Sequence, residues 1–135
     1  MEQRTRFKIM VYFILFIIAL FLLFFGIWYI SGLGRDFQRV GDLKQIQIAM
    51  SHYYSQYGTY LIPGCESGTR VNECFAKQNN ILRSFKILDP LASGYYNYVI
   101  GSLGDNFYEI NFALELGVGG LPAGRYVLTK EGVRR

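Results

Sequence analysis

Two cysteines, a single histidine and a scatter of carboxylates are the side chains here with reactive chemistry to offer. Cys65 and Cys74 span ten residues counted inclusively, and Gly64, Ser67 and Gly68 leave the chain around and between them free to turn back. In an oxidising compartment that spacing suits a disulfide, whose loop closure stabilises by about 2.5 kcal/mol on the chain-entropy account; in a reducing one the pair stays as two thiols. A structural zinc would need further Cys or His ligands beside them, and His52 is the sole histidine, so neither a metal nor another cofactor is expected. A nucleophile, a general base and an orienting acid do not come together at any spacing, which argues against an enzyme. Gly117-Val-Gly-Gly120 lacks the lysine and hydroxyl of a phosphate-binding loop and reads as a flexible strand connection. Asp105, Glu109 and Glu115 are expected to be solvated, since Glu109 and Glu115 would lie about 20 Å apart along one strand.

Tyrosines are the other candidates. Tyr53, Tyr54, Tyr57, Tyr60, Tyr95, Tyr96 and Tyr98 could stack on glycans, single strands or partner subunits, but their helix and strand periodicity suits core packing better. Residues 31–135 carry 11 Lys or Arg against 9 Asp or Glu, too balanced and too dispersed for a nucleic-acid surface.

What positions these residues is an N-terminal segment of unusual composition. Residues 9–30 form a run of 22 without a charge, 16 of them Ile, Leu, Val or Phe. As a helix the run reaches about 33 Å, against a hydrocarbon core of about 30 Å. Arg4, Arg6 and Lys8 precede it, whereas Arg35, Asp36, Arg39, Asp42 and Lys44 mix signs after it, so the positive-inside rule places residues 1–8 in the cytoplasm and residues 31–135 outside. Trp28 and Tyr29 mark the outer interface. A cleaved secretory signal is the competing reading, because Ser31, Gly32 and Gly34 are small, but signal h-regions run only about 7–15 residues.

Ser31-Gly32-Leu33-Gly34 offers a hinge, after which helical periodicity resumes over 36–57. Val40, Leu43, Ile46, Met50, Tyr53 and Tyr57 form its apolar face, the candidate face for packing and assembly, while Asp36, Gln38, Lys44, Gln45, Gln47, Ser51 and Gln56 occupy the polar side. Gly58 is the expected stop. A loop and a short helix fill 61–90, with helix expected over 72–85 and Cys74, Phe75, Ile81, Leu82 and Phe85 on its buried side; Asp89-Pro90 closes the region. Three strands are then expected at 95–100, 107–115 and 125–129, separated by the turn 101–106 and a Gly-Pro-rich connection over 117–124. The result is an α+β chain: a long N-terminal helix, transmembrane then amphipathic, laid on a small three-stranded antiparallel sheet.

That layout, with Asp42-Leu-Lys-Gln-Ile-Gln-Ile-Ala-Met50 leading to Tyr53-Tyr-Ser-Gln-Tyr-Gly-Thr-Tyr60, resembles the type IV pilin and type II secretion pseudopilin family, the major pseudopilin above all. Ile81-Leu-Arg-Ser-Phe-Lys-Ile-Leu-Asp-Pro90, Tyr95-Tyr-Asn-Tyr98, Phe112-Ala-Leu-Glu115 and Gly124-Arg-Tyr-Val-Leu-Thr-Lys-Glu-Gly132 are similar to its middle region and sheet, so the likeness spans most of residues 36–135. It implies a structural subunit of a secretion, pilus or DNA-uptake apparatus in a prokaryotic cytoplasmic membrane. Its partners would be lipid, copies of itself or other pilin-like subunits, and a secretion platform, with no nucleic acid.

The N-terminus departs from the family pattern. The basic leader ending in glycine and the glutamate in the first apolar turns have no match, and Gly26 lies deep in the apolar run, so an uncleaved anchor is expected. The alternative function is then a permanently anchored accessory or ligand-binding protein that stays outside any filament. Acidic residues that bind calcium in the type II secretion member are missing from Gly117-Val-Gly-Gly-Leu-Pro-Ala-Gly124, so calcium is not implied. The charge asymmetry makes a direct prediction: a topology reporter fused after Arg135 is active only outside the cytoplasm, and cytoplasmic activity would overturn the orientation.

Overall fold

The computed structural model describes residues 2–135. Helix α1 runs unbroken from Glu2 to Tyr57, 56 residues or about 84 Å. Its apolar segment is exposed, and it is the one helix among the described residues long and apolar enough to cross a membrane. The helix passes without a break through residues 31–34, where the sequence offered a hinge. Two glycines in a helix cost about 1 kcal/mol each relative to alanine, but Gly32 lies against the sheet: a Cβ there would stand 2.9 Å from Leu116 Cδ1. Ser31 Oγ donates to the Ile27 carbonyl and stays within the helical pattern. Gly58, at φ +70°, ends the helix by donating its N–H to the Tyr54 carbonyl, a left-handed cap that only glycine adopts without strain.

Between helix and sheet the chain is held by the Cys65–Cys74 disulfide, with a Cα separation of 5.3 Å. The single helix expected over 72–85 is replaced by a short α2 (Val71–Ala76) and a 3₁₀ turn (Ile81–Ser84). The Asn80 side chain explains the break, because it accepts from the Leu82 N–H and so caps a new turn in place of helical continuation. Val71, Cys74, Phe75 and Leu82 are buried, whereas Ile81 is exposed and Phe85 only half-buried.

The sheet has four antiparallel strands rather than three, β1 (Val99–Leu103), β2 (Tyr108–Val118), β3 (Leu121–Thr129) and β4 (Gly132–Arg134), in the order β1-β2-β3-β4. β4 escapes a reading by periodicity because three residues after a tight turn carry no alternation, and it exists by pairing Val133 with Leu128. Residues 95–97 are a turn and not the start of β1: the Tyr96 and Asn97 N–H groups both donate to the Ser93 carbonyl. The Gly-Pro-rich connection also proves to be ladder. Val118 pairs with Leu121 around Gly119 and Gly120, at φ +62° and +85°, the left-handed pair that a two-residue hairpin needs. A bulge between Leu114 and Gly117 bends β2 at its far end.

Strand alternation then sends Ile110, Phe112 and Leu114 inward with Tyr126 and Leu128, onto Leu43, Ile46, Ala49, Met50 and Tyr53 of α1. Replacing both cysteines with serine should lower the domain's unfolding midpoint under oxidising conditions by the equivalent of about 2–3 kcal/mol and change little under strong reductant. Calorimetry of the full chain in detergent reads the difference, and equal midpoints in both buffers would remove the disulfide's structural role.

Candidate functional site

The residues singled out from the sequence divide cleanly. Leu43, Ile46, Met50 and Tyr53 are buried against the sheet, Val40 is half-buried, and Tyr57 is exposed, so the apolar face of α1 is covered by the domain itself. His52 is exposed. Asp105 accepts from the Thr59 hydroxyl, and Glu109 accepts from Ser102 and Arg134; Glu115 lies apart from both. The tyrosines serve chiefly as packing, with Tyr60 against both Tyr54 and Tyr108 and the Tyr53 hydroxyl donating to the Leu61 carbonyl.

Glu115 is the correction that matters, because it is not solvated. Arg35 grips it with two parallel bonds, Nε to Oε1 at 2.7 Å and Nη2 to Oε2 at 2.6 Å. Arg39, fully buried, adds a third from Nη1 at 2.7 Å. The same Arg39 donates to Asp36 at 2.7 Å and to both oxygens of Asp89 at 2.5 and 3.2 Å, while the Tyr96 ring lies 4.5 Å from its guanidinium carbon. Asp36, also fully buried, reaches across to the bulge in β2 and accepts the backbone N–H groups of Glu115, Leu116 and Gly117 at 2.9–3.0 Å. One turn beyond Arg39, Asp42 accepts from the Tyr98 hydroxyl at 2.8 Å.

Helical spacing brings Arg35, Asp36 and Arg39 to the side of α1 that meets β2, and Asp89 arrives from the Asp89-Pro90 turn, where its Oδ1 also accepts the Leu91 N–H. Two arginines thus meet three carboxylates. The pairing sets their ionisation. Glu115 is held below the usual carboxylate range, by the Arg35 bonds first, against burial, and then by Arg39. For Asp36 burial is the largest single influence and acts upward, but the three backbone donors and Arg39 together outweigh it and hold it low. Asp42 moves the other way, raised by burial despite the Tyr98 bond. No buried side-chain nitrogen or oxygen among the described residues lacks a partner, so the cluster is saturated: it can fasten, and it offers no free base or nucleophile.

The sequence held a signal for this cluster. Positions 36, 39, 43, 46, 50 and 53 are spaced 3, 4, 3, 4 and 3, so the buried stripe of α1 continues backwards into Asp36 and Arg39. Assigning Asp36 to the polar side by residue type alone hid it. No protein-family model, curated protein or solved structure matches the chain.

Ionised Glu115 and Asp36 stabilise the fold fully above their ordinary values of 4.5 and 3.8, and that contribution is lost as pH falls through their lowered values. Glu115→Gln should therefore be less stable than the wild type by about 1–3 kcal/mol at neutral pH, with the gap closing under acid. Denaturant titrations of both proteins across the acid range test it, and a gap constant with pH would refute the ionised pairing.

Proposed function

We propose that this chain is a non-enzymatic, single-pass subunit of a prokaryotic cytoplasmic membrane, pilin-like or pseudopilin-like in architecture, that acts by assembly in a secretion, pilus or DNA-uptake apparatus. The observation that carries the reading is α1: one unbroken helix, exposed and apolar over its first half and the spine of an α+β domain over its second. In this reading residues 1–8 are cytoplasmic, 9–30 lie in lipid, and the domain faces an oxidising compartment in which the Cys65–Cys74 bridge persists. Its partners are lipid, copies of itself or other pilin-like subunits, and a secretion platform; nucleic acid is not among them. The saturated ion cluster supports a mechanical rather than a chemical role, because it ties the helix to the sheet at the level where the domain begins.

Burial of Leu43, Ile46, Met50 and Tyr53 directs any subunit contact to the opposite side of α1. There Phe37 and Ile48, eleven residues or about three turns apart, are 60% and 51% exposed on one face. A second reading is favoured by one observation: no acidic residue occurs between Ile9 and Ile30. The buried charge that sets subunit register in the family by pairing with a neighbour's N-terminal amine has no counterpart in that run. A permanently anchored accessory or ligand-binding protein would not need it.

Photocrosslinking residues placed at Phe37 and at Ile48 separate the two readings in cells. Assembly predicts a regular ladder of oligomers from both positions. Monomers alone, or one discrete hetero-crosslink, would reject assembly and leave the anchored accessory.

A further inference from the structure

The outer face of the sheet carries a concavity of mixed lining that neither the helix junction nor the apolar segment uses. Its floor is β2 and β3, where the register sets Asn111 opposite Val127 and Ala113 opposite Arg125 on the side turned away from α1. The turn before β1 rises over one end and brings Tyr95 above Arg125, with the guanidinium carbon 4.6 Å from the ring centroid. Between them is a volume of about 490 Å³, within the range of about 300–1,000 Å³ typical of small-ligand sites, and Arg135 also lines it.

Asn97 is the informative residue. It is only 6% exposed as a residue and lines the concavity, and its amide, with no hydrogen-bond partner among the described residues, reaches solvent. A ligand supplying both a donor and an acceptor would take the place of the water that the amide meets there. Asn111 presents a second side-chain amide with no partner among the described residues. Arg125 makes no ion pair with a described residue; stacking on Tyr95 orients its plane and leaves the N–H edge open to a planar anion.

We propose that this concavity binds a carboxylate-bearing saccharide, the uronate unit of an acidic glycan. Arg125 takes the carboxylate through charge-assisted bonds, Asn97 and Asn111 take ring hydroxyls, and the half-exposed Tyr95 ring packs on the apolar face of the sugar. Two amides, one aromatic face and one oriented guanidinium suit such a ligand better than a bare inorganic anion, which would offer few donors to the amide oxygens and no apolar face to the ring.

Calorimetric titration of the full chain in detergent tests it, with digalacturonate as the probe and its neutral galactose counterpart as the control. Saturable binding of the acid is expected, weakened about tenfold or more by Arg125→Gln, the loss of one charge-assisted contact. Asn97→Asp, nearly isosteric and placing a like charge against the carboxylate, should weaken it comparably, and Arg125→Gln should keep the wild-type unfolding midpoint. Absence of saturation into the millimolar range would overturn the proposal, as would equal affinity in Arg125→Gln or equal binding of the neutral sugar. Displacement by inorganic phosphate at equal concentration would reduce the site to a simple anion pocket and overturn it too. Subunit assembly is read by crosslinking, so failure of either idea leaves the other standing.

Discussion

Everything outside the apolar segment depends on one buried guanidinium. Arg39 holds carboxylates from three places in the chain: Asp36 one turn back on the same helix, Asp89 from the turn that closes the middle region, and Glu115 from the bulged end of β2. A side chain with five fixed donors can bridge three acceptors in this way, where a lysine would offer a point charge. Removing Arg39 alone would leave the unexposed Asp89 without its cation and with only the Leu91 N–H as donor, and would take one partner each from Asp36 and Glu115, a loss of about 3–5 kcal/mol on the scale of broken buried pairs. Apolar residues of similar size could stabilise the same contact as well or better, but they would tolerate rotation of the helix against the sheet. The ionic version joins helix, turn and sheet through directional contacts.

Asp36 shows how the register is read. Its carboxylate meets three consecutive backbone N–H groups that point its way because β2 is irregular between Leu114 and Gly117. A regular strand would direct alternate N–H groups to opposite neighbours, and no single carboxylate could collect three in succession. Gly117, at φ +95°, makes the bend, and a Cβ there would fall 2.4 Å from the Leu121 carbonyl oxygen. Bulge and buried acid therefore require each other.

Much of this architecture was legible in the sequence, and the parts that were not share a cause. The length and apolarity of 9–30, the stripe at Leu43, Ile46, Met50 and Tyr53, the stop at Gly58 and the alternation of β2 are periodic signals, and each has its element in the structure. Periodicity cannot see elements formed by pairing alone, hence the missed β4, nor a helix cut short by one side chain, as Asn80 does. It also misleads when polarity stands in for exposure. Asp36 and Glu115 are charged and were set on the solvent side, yet all of their partners but the Arg39 bond to Asp36 lie 76 to 81 residues distant in the chain. The concavity near Asn97 was equally hidden, because its walls come from a turn and two strands that only the tertiary fold brings together.

The close approach of Leu116 to Gly32 leaves almost no chain between the end of the apolar run and the start of the domain. Where that run crosses a bilayer, the domain has no tether on which to swivel and leans with its own helix. Transmembrane helices tilt by about 20° on average, and the last 24 residues of α1 extend about 36 Å, so a tilt of that size carries the far end of the domain roughly 12 Å sideways. Membrane thickness, through the tilt it imposes, becomes a lever on where the outermost surface of this protein points.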